Sequence, residues 1–131
     1  MTFFESLTSF VGRLLIAVLF LAAAVQKGLD PDPVRDLLAG WGLPAGFVWG
    51  ALLYNGLAGL ALVLGVAVRP VAISLAVYCA LTSFFHLIPE DPWQMSIFVK
   101  NWAIAGGCLV LAAQGGGAWR LRFVSQALGS R

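Results

Sequence analysis

Charge is what this sequence has least of. Of its 131 residues, eight are Lys or Arg and six are Asp or Glu, 11% in all. Soluble domains carry about 25%. A chain this short leaves much of its area facing outward, and so few charges cannot dress that area for water. The formal net charge of +2 excludes a nucleic-acid face, which needs Lys and Arg clustered on an accessible stripe. Cysteine is nearly absent: Cys79 and Cys108 stand without a CxxC or metal-ligand spacing. His86 is the one histidine, too few for a bis-histidine haem site, and no intrinsic metal is expected. The N-terminus lacks the charged n-region and small-residue cleavage site of a signal peptide, so the first apolar segment is expected to be retained.

Apolar residues make up 60% of the sequence, well above the roughly 45–50% of soluble domains. A spanning helix needs about 20 mostly apolar residues. Four segments meet that, residues 3–25, 47–68, 70–88 and 95–113. Punctuation falls between them: Gln26-Lys27-Gly28 is expected to stop the first and Arg69-Pro70 to make a tight turn after the second. Pro89-Glu90-Asp91-Pro92 separates the third from the fourth, and Gly115-Gly116-Gly117 ends the last. Trp41, Trp49, Trp93 and Trp119 lie near these boundaries, where indole rings prefer to sit. The expectation is an all-α fold: a four-transmembrane-helix bundle forming one domain over residues 1–131.

Between the first two spans, Asp32 can cap a helix beginning at Pro33. Val34, Leu37, Leu38 and Trp41 then share one face, which reads as a short interfacial amphipathic helix. An ordered loop is the alternative. Lys and Arg in short loops set orientation. With both termini cytoplasmic, that side holds Arg13, Arg69, Arg120, Arg122 and Arg131, against Lys27, Arg35 and Lys100 outside. Both termini are therefore placed in the cytoplasm.

Ionisable residues inside a span are costly and need a reason. Arg13 lies in the first span and Asn55 near the middle of the second. Ser74, Tyr78, Thr82 and His86 recur at four-residue intervals in the third, and Lys100 and Asn101 open the fourth. Alternating spans carry Gln26, Lys27, His86, Lys100 and Asn101 toward the outer surface, with Asn55 deeper. Lys27, Asn55, His86, Lys100 and Asn101 are the candidate ligand-binding residues of an outward-opening polar pocket. Each also has a quieter role: the lysines can snorkel, Asn55 can bond a neighbouring helix, and hydroxyls can bond their own backbone. Gly46, Gly50, Ala51, Gly56 and Gly59, with Ala103, Gly106 and Gly107, are expected at helix contacts. Cys79 and Cys108 read as inert core residues.

The sequence resembles the DoxX family of small four-helix membrane proteins over residues 11–119. The likeness rests on Gly12-Arg13-Leu14-Leu15, Gln26-Lys27, Gly42-Leu43-Pro44, Gly59, Leu64-Gly65, Arg69-Pro70, Phe85-His86, Val99-Lys100-Asn101 and Ala105-Gly106-Gly107. The family commonly places a glutamate where Asn55 stands, and a carboxamide can hydrogen-bond but not ionise. The resemblance implies a bacterial-type inner membrane protein and a subunit of a quinone-linked redox system, without a complete active site of its own. A quinone headgroup or small anion would then bind in the pocket, with His86 as proton carrier, since imidazole changes charge nearest neutral pH. The partners expected are the bilayer and a protein of a membrane redox complex, with a homo-oligomer left open. The competing reading is a non-catalytic scaffold, anchor or assembly factor. A transporter fits less well, because no repeated pair of broken helices is visible.

Overall fold

The computed structural model describes residues 2–120, and among them every regular element is helical. Helix α1 runs Phe3–Leu29, α2 Asp32–Gly40, α3 Phe47–Leu64, α4 Val68–Ser83 and α5 Pro92–Gln114, with a 3₁₀ turn Phe84–His86 extending α4. Four of them, α1, α3, α4 with its 3₁₀ turn, and α5, are long and apolar enough to cross a membrane. The shortest, 18 residues in α3, spans about 27 Å at 1.5 Å per residue, close to the ~30 Å hydrocarbon thickness. Leu15, Leu53, Leu81 and Val99 point outward, which only a lipid surround makes favourable.

Local chemistry fixes the ends. Thr2 and Glu5 form a reciprocal cap at the start of α1, and the Asp91 carboxylate accepts from the Trp93 and Gln94 amides at the start of α5. Three boundaries differ from the sequence expectation. Gln26-Lys27-Gly28 does not stop α1, which continues to Leu29 and carries Lys27 in its last turn, where a cation faces the helix dipole favourably. Arg69-Pro70 is not the turn: Pro70 sits in the first turn of α4, where a missing N–H costs nothing. The chain reverses instead at Gly65–Ala67, with positive φ at Gly65 (74°) and Ala67 (50°). Asp32 does not cap α2 from outside; it is the first helical residue and pairs with Arg35 at 3.3 Å.

The bundle is two tight pairs, α1 on α3 and α4 on α5, joined along thinner seams. Gly59 sets the first crossing, since a methyl group there would sit 2.8 Å from Leu21 Cδ2. Gly56 faces Ala24 Cβ at 3.7 Å. Gly46, Gly50 and Gly106, expected at contacts, look into open space instead. Ala17, Phe20, Leu62, Leu75, Cys79 and Cys108 form much of the core, and both thiols are free.

Polar side chains stitch the α3–α4 seam. Asn55 Nδ2 donates to Tyr78 Oη at 3.1 Å, and Tyr54 Oη lies 2.7 Å from Ser74 Oγ. The Ser74 hydroxyl proton is already spent on Val71 O, so Tyr54 is the donor. Such bonds are worth about 0.6 kcal/mol each on average in membrane proteins.

Candidate functional site

A cavity of about 350 Å³ lies among α1, α3, α4 and α5, roofed by α2. Its wall is mostly apolar, with Phe20, Leu38, Phe47 and Ile104 among the contributors. Helix α2 holds its place through Leu38, which is buried, the Trp41–Phe85 ring contact at 5.4 Å and Arg35 over Trp49. Above the cavity is a more polar recess of about 500 Å³ with Gln26, Lys27, Asp30, Asp36, His86 and Gln94. Lys27 and His86 border both spaces, as do Val34, Leu37 and Ile97. They are the rim where an apolar interior meets a polar mouth.

His86 is oriented. Its Nδ1 lies 2.6 Å from Gln94 Oε1, and an amide oxygen only accepts. Nδ1 therefore carries the proton, leaving Nε2 as an acceptor in the neutral ring. Gln94 is itself seated in the first turn of α5 by Asp91. The 3₁₀ turn after α4 and the cap of α5 thus jointly aim the imidazole.

The candidate residues separate into three groups. Lys27, His86 and Asn101 line the cavity together. Asn55 is buried but off the cavity wall, and it reaches the cavity only through Tyr78, which does line it. Lys100 turns away: it is exposed, its Nζ sits 5.5 Å from the Trp93 ring centre, and it borders a shallow groove with Leu15 and Ile16. One residue of helix is a rotation of about 100°, which carries Asn101 inward as Lys100 swings out.

Two residues outside the candidate set gain a role in the structure. Tyr78 accepts from Asn55 and so keeps its phenolic proton for an acceptor in the cavity; its place in the polar stripe of α4 was the available signal. Arg13, 1% exposed, donates from Nη1 to Gly116 O at 2.5 Å and from Nη2 to Trp119 O at 2.6 Å, tying residues 115–120 to α1. A second groove, between α3 and α4, shares Phe47, Ala51 and Tyr78 with the cavity and is bordered by Gly46 and Gly50. The cavity is thus flanked by a polar recess at its end and an apolar groove at its side. Among the described residues no group of three or more His, Cys, Asp or Glu could hold a metal ion.

Four spanning helices with a polar-rimmed cavity between them define a small multi-pass membrane protein set in a lipid bilayer. The DoxX family profile matches residues 8–88, and the chain belongs to that family. It is similar to the "Inner membrane protein YqjF" of Escherichia coli (strain K12), with 30% identity over 118 residues, 89% of this chain and 91% of that protein. No solved structure matches.

Proposed function

We propose that this protein is the membrane subunit of a quinone-linked redox system in a bacterial-type inner membrane, and that the cavity receives the quinone headgroup. The observation that carries this reading is that Lys27, His86 and Asn101 line one mostly apolar cavity, with Lys27 and His86 at its polar mouth. A headgroup with two carbonyl oxygens needs donors, and the Lys27 ammonium, the Asn101 carboxamide and the Tyr78 hydroxyl are donors. The His86 Nε2, an acceptor while Nδ1 is held by Gln94, can take or return a proton at the rim. A pocket of a few hundred Å³ with few convergent polar groups is the usual form of a small-molecule site. The groove past Gly46 and Gly50 offers an apolar tail a way out to lipid.

A bound quinone would supply the redox chemistry. The chain's own residues would bind the headgroup, exclude water and hold a proton at His86. Electrons would come from a partner protein, consistent with the lack of a complete catalytic constellation among the described residues. That same lack favours the second reading, a scaffold or anchor for a partner enzyme, with the short connections leaving no room for a water-exposed active site.

Quinone titration followed by tryptophan fluorescence tests the first reading. Saturable quenching is expected, weakened about tenfold in Lys27→Ala, the worth of one charge-assisted contact, and weakened less in His86→Ala. No saturable change with any quinone, together with a stoichiometric enzyme that co-purifies regardless of those substitutions, would establish the scaffold instead.

A further inference from the structure

Helices α1 and α5 meet along a thin seam. Beside that seam their edges enclose a shallow groove of about 470 Å³. Its wall is apolar apart from one residue: Leu15, Ile16 and Leu19 come from α1, and Ala103, Ile104 and Gly107 from α5. Leu15 and Leu19 are exposed, so the described residues leave the groove uncovered. Leu19 and Ile104 also line the central cavity, which places them between that cavity and the bilayer.

The remaining residue is Lys100, eight residues after Pro92 at the start of α5, about 12 Å along the axis. It is exposed, and a cation on the lipid-facing side of a span must reach the headgroup layer. Its ammonium turns that way: Nζ lies 5.5 Å from the ring centre of Trp93, in the first turn of α5. The indole face attracts the ammonium without supplying a counter-charge. Among the described residues no carboxylate lies at ion-pair distance from Lys100. The groove thus has a positive charge at its headgroup end and hydrocarbon below, the division of an amphiphile.

We infer that the α1–α5 groove binds an anionic phospholipid, with an acyl chain along the groove and the headgroup phosphate on the Lys100 ammonium. Seven residues separate Lys100 from Gly107, about 10 Å of helix, which an extended chain segment can follow. An ammonium is a compact point charge that binds phosphate oxygens. A headgroup of net negative charge compensates it, whereas a zwitterionic one brings its own cation. The site is separate from the quinone reading, since Leu15, Lys100 and Gly107 are off the cavity wall.

The test uses the full chain, delipidated in detergent, with dioleoylphosphatidylglycerol or dioleoylphosphatidylcholine added. Binding is read by native mass spectrometry and by the shift in Tm. Phosphatidylglycerol is expected to be retained about tenfold more strongly than phosphatidylcholine and to raise Tm, with that preference lost in Lys100→Gln. Gly107→Leu should displace both lipids by filling the groove; a Cβ there meets only Ile16 Cδ1, at 3.9 Å, so the backbone accepts it. Gly106→Leu, one residue round the helix and off the groove, should change nothing. Equal retention of the two lipids by the unsubstituted protein would overturn the proposal, as would an undiminished preference in Lys100→Gln. A lipid-free dimer that dissociates in Gly107→Leu would overturn it too, and give the groove to a second copy of the chain.

Discussion

Arg13 shows how one side chain inside an apolar span is made tolerable. Its fork is turned onto the carbonyls of Gly116 and Trp119, groups left over where α5 ends and the chain leaves helical geometry. Charge-assisted bonds contribute about 1.5–3 kcal/mol each, so Arg13→Met is expected to destabilise the fold by about 3 kcal/mol or more in detergent unfolding. Arg13→Lys should recover part of that. Asn55 is the contrasting case. With one bond to Tyr78 and no position on the cavity wall, Asn55→Ala should cost only about 1 kcal/mol. Its effect on quinone binding should be far smaller than that of Lys27→Ala, as the same fluorescence titration would measure.

At the scale of helices, two glycines of α3 have opposite roles. Gly59 permits the close approach of α1, with Leu21 Cδ2 2.8 Å from where a methyl group would be. Gly59→Leu overpacks that crossing and should lower stability by about 1–3 kcal/mol, seen as a reduced Tm. Gly50 meets nothing within 4 Å and borders the lipid-facing groove beside the cavity. Gly50→Phe should therefore fold normally yet weaken binding of a long-tailed quinone while sparing a tailless analogue. Equal binding of both analogues in that variant would show that the groove carries no tail. Sequence composition placed small residues on α3 but did not tell these roles apart, because helix propensity and spacing are alike for both. What differs is the neighbour across the gap, which for Gly59 is Leu21, 38 residues earlier in the chain.

Across the described residues, four candidate spans place the start of α1 and the end of α5 on one side of the bilayer. We propose from the Lys and Arg distribution that this side is cytoplasmic, which would turn the start of α1 and the end of α5 toward the inner leaflet. Single cysteines introduced into a Cys79→Ala, Cys108→Ala background test this. A membrane-impermeant maleimide should label position 90 in intact spheroplasts and position 5 only after lysis. The reverse pattern would invert the topology without altering the fold.

The number of spans, their all-α character and the lipid surround were determined by the sequence, because hydrocarbon admits only segments that satisfy their own backbone hydrogen bonds. Such segments announce themselves by length and apolar content. The short helix between the first two spans was also readable, from the spacing of Val34, Leu37 and Leu38. Which polar groups meet was decided by tertiary structure. Lys100 and Asn101 are adjacent in sequence, yet one faces outward and the other lines the cavity, since helix rotation relative to its neighbours depends on packing along the whole interface. The same packing turned Asn55 onto Tyr78, aimed His86 through Gln94, and folded residues 115–120 back onto Arg13.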